Sequence, residues 1–600
     1  MTPLDRRGFL AGAGAAGIAL GAGLAGPGSR GGAADADAAV VPGRRPNILI
    51  LMTDQERHQD RLPDHLPTPF RCWMDQNGTR IDRFHASSMA CSPSRACFWT
   101  GMYAPQQGIY GTFVLGTQFT MDPSIPTIGD LFKEVGYRTA FFGKWHLSFP
   151  GEPPTNLEAA LDLAQGNPLK GYGFDDSVIS PPADVGGYND GYLNDPVWTG
   201  QAKTWLRAHA KDEQPWLCVV SLLNPHDIQF YPRGFRVDYK RPDYDAPLNP
   251  SFAAEPTLAD KPSSQSKFRD VAAVVAGTPK AVIDDPEYWR GHQNTYYDLI
   301  VGTDEMLAAV VKEVIDQGAL EDTVIVRTSD HGELGGAHRL QNKGTTMYDE
   351  QNRIPFTVVY PKRFPRGRRS QALGEAVDLT PTLLEIAGQP DPVGRWPWLR
   401  GVSLAGCLAD PDARGPRDSV LFRTDEYPIY NTGNAIPTNS HVRAVYDGRY
   451  KYARYVAVAD QHFAGRELVA SQEYEMYDTW NDPYEIRNLA NDPGYSALRK
   501  DLHAYLLERE AANFGPVVVP AYGPRAPITA LPEPPSANLT SNGLPNPWVG
   551  AQPGSYVVVP FEQPTPAAFL YEGGLPSLIG GPPGTAGRVD MARYFCELMP

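Results

Sequence analysis

Cys91 opens the stretch CSPSRACFWTG, two residues ahead of Pro93 and four ahead of Arg95. Proline suits the first turn of a helix, which places the thiol at a helix N-terminus. Arg95 then shares its face one turn on. The helix dipole and the guanidinium both favour an anion at position 91. That is the setting of an activated nucleophile or of an anion-binding pocket; a buried structural cysteine is the alternative. Asp54-Gln55 and Asp330-His331 each end an apolar run. Their oxygens suit Ca²⁺, Mg²⁺ or Mn²⁺, and the one imidazole tilts the set toward Mn²⁺. A lone Asp after a strand reads as readily as a helix cap. Two such pairs in a chain with a candidate anion site favour a metal. Lys144 and His146 lie two apart, a spacing that on a strand puts both on one face. Such a pair binds an anion and moves a proton. His226 in LLNPHD and Lys343 in QNKGTT supply the side of a leaving group. Taken singly, each of these four also reads as a surface charge or a hydrogen-bonded histidine.

Something must carry these residues to one place. PNILILMTDQE, YRTAFFGKWH, WLCVVSLLNPHD and TVIVRTSDHGE share one form: an apolar or β-branched run, then a polar cluster. This is the pattern of buried parallel strands. Helical patterns such as IGDLFKEVG and Pro286 to Val314 lie between them. The alternation predicts an α/β fold, a mostly parallel central sheet covered by helices on both faces. Ligands of such sheets bind outside the carboxyl ends of the strands. Asp54, Lys144, His146, His226, Asp330 and His331 all follow strand ends and so converge on one rim. Two insertions, 150–200 and 229–285, are rich in Pro, Gly, Asp and Tyr and read as pocket-walling loops. Their aromatics Tyr172, Phe174, Tyr188, Tyr192 and Trp198 read as loop packing before they read as a sugar or aryl pocket. Beyond residue 400, SHVRAVYDGRYKYARYVAV and YEMYDTWNDPYEIRNLA predict short antiparallel strands, then a helix from Tyr495 to Asn513. The expected division is 45–400 for the main domain, 401–514 for a smaller α+β subdomain and 515–600 for a Pro/Gly-rich tail.

The 600 residues carry a formal net charge of −15, which speaks against a nucleic-acid partner. The basic run RFPRGRR, Arg363 to Arg369, reads as a solvated loop broken by Pro365 and Gly367. Six cysteines are too few for a disulfide scaffold and leave room for one or two bridges. Near the N-terminus Arg6-Arg7 precede a weakly apolar Ala/Gly run, the form of a twin-arginine export signal over 1–38. The run is too rich in Gly for a stable membrane span. The expected location is therefore outside the cytoplasm.

CSPSRACFWTG also resembles the sulfatase signature: Cys-x-Pro-Ser-Arg, four residues, then Thr-Gly. PNILILMTDQ, GKWHL, SDHGELGGAHRLQNKGTTMYDE and EYEMYDTWNDPYEIRNLA resemble further sulfatase blocks in the family's order, so the resemblance spans Arg45 to Asn513. It implies an alkaline-phosphatase-like fold and a sulfuric ester hydrolase. It further implies that Cys91 is converted to formylglycine by a formylglycine-generating enzyme. In the hydrated aldehyde one hydroxyl attacks sulfur, and the other later expels sulfate. Asp54, Gln55, Asp330 and His331 would hold a divalent cation against residue 91, Ca²⁺ by family default and Mn²⁺ or Mg²⁺ otherwise. Arg95 would orient the hydrate, and His146 would be the base that breaks the sulfated intermediate. Lys144 and Lys343 would neutralise sulfate oxygens, and His226 with Lys343 would assist the departing alcohol. The substrate would be a small-molecule or saccharide sulfate ester. Many sulfatases have two consecutive aspartates on the first strand and Asp-Asn on the later one. Asp54-Gln55 and Asp330-His331 instead resemble the choline-sulfatase and phosphonate monoester hydrolase branches. A phosphonate monoester or phosphodiester hydrolase is therefore the competing enzyme. A catalytically silent protein that captures sulfated ligands is the competing non-enzyme.

Overall fold

The computed structural model describes residues 44–112, 121–148, 167–179, 190–232, 243–254, 258–276, 278, 282–425, 441–456 and 472–515. The expected signal over 1–38, all but the first residue of the 515–600 tail, and Tyr188 lie outside them.

Strand β1 (Asn47–Asp54) is buried along its whole length. Ile48, Ile50 and Met52 enter one apolar cluster and Leu49 and Leu51 another, so both faces of the strand are covered. That double burial is why it reads as an unbroken apolar run. The main sheet adds β2 (Thr79–His85), β3 (Arg138–Gly143), β4 (Asp176–Val178), β5 (Trp216–Pro225), β6 (Thr323–Ser329), β7 (Phe356–Val359) and β8 (Arg368–Glu375). Its eight strands run in the order β4-β3-β5-β1-β6-β7-β2-β8. All pairings are parallel except those of β7, which is antiparallel to β6 and β2. The four strands expected from their apolar runs are the adjacent central set β3-β5-β1-β6. Helices Asp190–His209 and Pro286–Asp316 cover one face through Ala202, Leu206, Leu307 and Val311. Helices Cys91–Thr100, Ile128–Glu134 and Leu379–Ile386 cover the other through Phe98, Leu131 and Leu383.

A second sheet holds β9 (Val420–Thr424), β10 (His441–Tyr446), β11 (Tyr450–Val456) and β12 (Glu473–Asp478), all antiparallel. The helix Ser496–Asn513 closes the described chain, adding Leu502 and Leu506 to the first apolar cluster. Leu421, Val442, Tyr452 and Met476 of this sheet share that cluster with Ile81 and Phe84 of the main one.

Three expectations change. The insertions are not loops alone: 150–200 runs into the helix Asp190–His209, and 229–285 contains the helices Pro250–Ala254 and Ser263–Ala276. Trp198, Ala202, Trp205 and Leu206 are buried at helical spacing there, a period masked by the surrounding Gly and Pro. The basic run is a turn that enters edge strand β8, where Arg368 and Arg369 are exposed. Cys72, Cys91, Cys97, Cys218 and Cys407 are all free thiols, so none of the five forms a bridge; Cys596 lies outside the described residues. Tyr172 and Phe174 are core residues packed against Trp145 and Phe141, whereas Tyr192 is exposed. Among the described residues no helix is long and apolar enough to cross a membrane.

Candidate functional site

Cys91 is the first residue of its helix. Its Sγ lies 3.1 Å from His331 Nε2 and 3.7 Å from Asp54 Oδ1. Asp54 ends β1, and Asp330 and His331 follow β6, so adjacent strands deliver the three side chains. One ligand atom from each of Asp54, Cys91, Asp330 and His331 falls within 4.8 Å of the others, and all four residues are buried. Two carboxylates, an imidazole and residue 91 are a donor set that fits a divalent cation. His331 Nδ1 faces the Gly332 carbonyl at 2.9 Å, which leaves Nε2 on the cluster side.

Arg95 braces the cluster from behind. It donates to Asp330 Oδ2 at 2.8 Å, to Asp54 Oδ2 at 3.0 Å, to the Lys144 carbonyl at 2.6 Å and to Ser221 Oγ at 2.8 Å. Lys144, one residue past β3, reaches Asp54 Oδ2 at 2.7 Å. Ser92 and Ser94 tie the helix to the rim by donating to the carbonyls of His146 and Asp330, each at 2.6 Å. His226 begins the turn after β5. Asp195 secures the end of β5 ahead of that turn, accepting from the backbone N–H groups of Leu223 and Asn224 at 2.6 and 2.8 Å. Lys343 donates to Gln55 Oε1 at 2.5 Å and to Gln229 Oε1 at 2.7 Å.

Burial by itself would raise Asp54, but Lys144, His226, Arg95 and His331 hold it well below the usual carboxylate range. Burial and the neighbouring Asp54 push Asp330 up. Burial lowers His331 and His226, which favours the neutral imidazole; for His331 that is the form a metal ligand requires. Burial, with Asp54 adding, pushes the Cys91 thiol up to about 12.

Two readings of the sequence are corrected here. The Cys91 setting favours the thiol over the thiolate: the guanidinium of Arg95 pairs with Asp54 and Asp330, and burial, with Asp54 adding, pushes the thiol up. Lys144 and His146 do not share a strand face. The strand ends at Gly143, and His146 has φ 58°, so the period of two does not extend to it. The structure does bring Asp54, Gln55, Cys91, Arg95, Lys144, Asp330, His331 and Lys343 together. It places His146 beside Ser92, and His226 on the turn that carries Gln229. Gln229, Ser221 and Glu333 were not singled out from sequence. Gln229 had a usable signal, three residues after His226, the repeat of a 3₁₀ turn. Ser221 sits inside an apolar strand and had none.

Comparison with known proteins gives a consistent result. The sulfatase family model matches residues 46–389, and the model described as N-sulphoglucosamine sulphohydrolase, C-terminal, matches 336–512. The uncharacterized sulfatase YidJ of Escherichia coli is 28% identical over 486 residues, 78% of this chain and 87% of that one. The Delta 4,5-hexuronate-2-O-sulfatase of Bacteroides thetaiotaomicron is 25% identical over 480 residues, 78% and 89% of the two chains. The solved structure of a 2-O GAG sulfatase superposes with TM-score 0.61 at 22% identity, covering 78% of this chain and 92% of that one.

Proposed function

Since the chain belongs to the sulfatase family, we propose that this sulfuric ester hydrolase cleaves sulfate monoesters of saccharides through a formylglycine made from Cys91. The observation that carries the reading is the contact of Cys91 with a buried Asp54–Asp330–His331 cluster flanked by the ammonium groups of Lys144 and Lys343. A hydrated formylglycine at position 91 would supply the nucleophilic hydroxyl and a second hydroxyl for the release of sulfate. Asp54, Gln55, Asp330, His331 and residue 91 would hold a divalent cation, which would supply charge stabilisation for the sulfate group; Ca²⁺ leads, with Mn²⁺ and Mg²⁺ as alternatives.

The chain's own residues do the rest. Arg95 fixes both carboxylates, so the cluster is preorganised. Lys144 and Lys343 offer positive charge to the sulfate oxygens. His146, beside the nucleophile helix, would act as the base that accepts a proton from residue 91. His226 hydrogen-bonds the departing alcohol, and Lys343 carries the proton that alcohol needs. The saccharide assignment leans on the related hexuronate-2-O-sulfatase. A twin-arginine-type signal over 1–38 would export the folded chain after a formylglycine-generating enzyme has acted. Residues 45–400 would form the catalytic domain, and 401–514 the smaller subdomain.

Peptide mass spectrometry across Cys91, on protein co-expressed with the maturation enzyme, tests the modification. Paired aryl sulfate and aryl phosphonate esters test the reaction. The expected results are an aldehyde at position 91 and a clear preference for sulfate. An unmodified thiol in active enzyme removes the formylglycine step, and a preference for the phosphonate replaces the sulfatase reading with the phosphonate hydrolase one.

A further inference from the structure

We propose that Glu333 is the positioning residue that orients the Gln55 amide and thereby sets both the cation site and Lys343; this rests on the cation-site reading above. Gln55 lies between two groups of opposite character. Its Nε2 donates to Glu333 Oε2, and its Oε1 accepts from Lys343 Nζ at 2.5 Å. Turned over, the amide would set oxygen against carboxylate and NH₂ against ammonium. The pair therefore permits one orientation, with the oxygen on the Lys343 side. The backbone N–H of Gln55 donates to Asp330 Oδ1 at 3.1 Å, which joins the same residue to the carboxylate cluster.

Glu333 also builds the loop that carries Lys343. Its Oε1 accepts from the backbone N–H groups of Gly335 at 2.8 Å and Asn342 at 2.7 Å. Leu334 N–H donates to the Asn342 carbonyl at 2.8 Å and closes the same loop. The hydrogen-bond partners of Glu333's side-chain oxygens are all donors, so it serves as an acceptor on every side. The facing imidazole of His292, 3.9 Å away, is held down to about 4 by burial and supplies no charge near neutrality. Glu333 is fully buried, so water cannot replace any of these bonds cheaply. One consequence is the choice of residue at position 55. A carboxylate there would confront Glu333 directly, so the site takes an amide.

The test measures Mn²⁺ and Ca²⁺ affinity of the full-length protein by chelator competition, with melting temperature as the check on folding. Four proteins are compared: wild type, Glu333→Gln, Gln55→Glu and the double variant. Glu333→Gln is expected to weaken metal binding by about 10–100-fold, the usual effect of losing a group that orients a ligand. Gln55→Glu is expected to weaken it as well, although a new carboxylate would ordinarily tighten a cation site. The double variant restores affinity to at least the wild-type value. There the amide introduced at position 333 can donate to the carboxylate introduced at position 55, while its oxygen still accepts from Gly335 and Asn342. Wild-type affinity in Glu333→Gln, tighter binding in Gln55→Glu, or a double variant no better than the single ones overturns the proposal. Should Glu333→Gln not fold, the Gln55→Glu arm decides alone. A wild-type protein that binds neither metal overturns the cation-site reading and this proposal together, whereas a binding wild type matched by Glu333→Gln overturns only the proposal.

Discussion

Arg95 is fully buried and meets four acceptors on or just past the four central strands β1, β3, β5 and β6, so its planar fork does what a point charge cannot. Arg95→Lys keeps the charge but can reach only part of this set. The expected outcome is a fall in kcat/KM of about 100-fold, with a lower melting temperature because one buried carboxylate loses its partner. Steady-state kinetics and calorimetry on the same preparation check both. His85 contributes to the acid response. Burial pushes the His85 imidazole down to about 4; Asp349 opposes this, while Lys451 and Arg353 add to it. Its ring faces Tyr446 and the Arg83 carbonyl. The folded value lies below the unfolded one near 6.5, so the stability this histidine contributes is present above pH 6.5 and is lost as pH falls toward 4. The slope is about 1.4 kcal/mol per pH unit. Between pH 7 and 5 the stability difference between wild type and His85→Gln should move by about 2 kcal/mol in the variant's favour. Urea titrations at the two pH values measure it, and a gap independent of pH refutes it.

At the scale of elements, the join between β3 and Lys144 is the tightest point near the site. Gly143 has φ 119°, and a Cβ there would stand 1.9 Å from the Ser221 carbonyl oxygen on β5. That oxygen also accepts the Lys144 N–H at 2.8 Å. Gly143→Ala must therefore push β3 away from β5 and carry Lys144 off Asp54. A loss of more than about 4 kcal/mol is expected, in the range of backbone strain with overpacking. Soluble yield and melting temperature report it; a variant that melts like wild type would show that the strands yield at little cost. The same four strands mark how far the sequence could be read. β3, β5, β1 and β6 are buried on both faces, so their composition alone declared them, and their polar ends located Asp54, Lys144, His226 and Asp330. Strand β2, TRIDRFH, and edge strand β8, RRSQALGE, carry charges that pair across the sheet rim, Arg369 with Asp82 for example, and this hid their period. Cys91 and Arg95 were legible because one helix turn relates them. The partners of Arg95 and the anchoring of Gln55 by Glu333 were not. Those contacts join residues from 41 to 278 positions apart, and only the sheet order brings them together.

At the scale of the whole molecule, the small sheet and the site are linked by a short chain of contacts. Lys451 on β11 is buried and pairs with Asp349 and Glu485, each at 2.6 Å, and donates to the Met347 carbonyl at 3.1 Å. Asp349 opens the turn Asp349–Asn352. Two carbonyls of that turn hold the segment after His331: Gly332 N–H donates to Gln351 at 2.7 Å and Glu333 N–H to Glu350 at 3.0 Å. The second sheet thus supports the loop on which His331 and Glu333 sit. A second link runs through β9, where Arg423 N–H and the Thr424 hydroxyl donate to the carbonyls of Ser87 and Met89, just ahead of Cys91. Lys451→Met fills the space but leaves two buried carboxylates facing each other, at a cost of about 3–5 kcal/mol. If the sheet positions the site, metal affinity must fall with stability. Added Mn²⁺ stabilises a protein by an amount set by the ratio of free metal to Kd. The Mn²⁺-induced rise in melting temperature should therefore be smaller in Lys451→Met than in wild type at equal metal concentration. Glu333→Gln is expected to show the same reduced rise with a smaller loss of metal-free stability, because it leaves the ion pairs of Lys451 intact. An undiminished rise in Lys451→Met, together with a lower metal-free melting temperature, would make the second sheet a buttress that stabilises the fold without setting the geometry of the cation site.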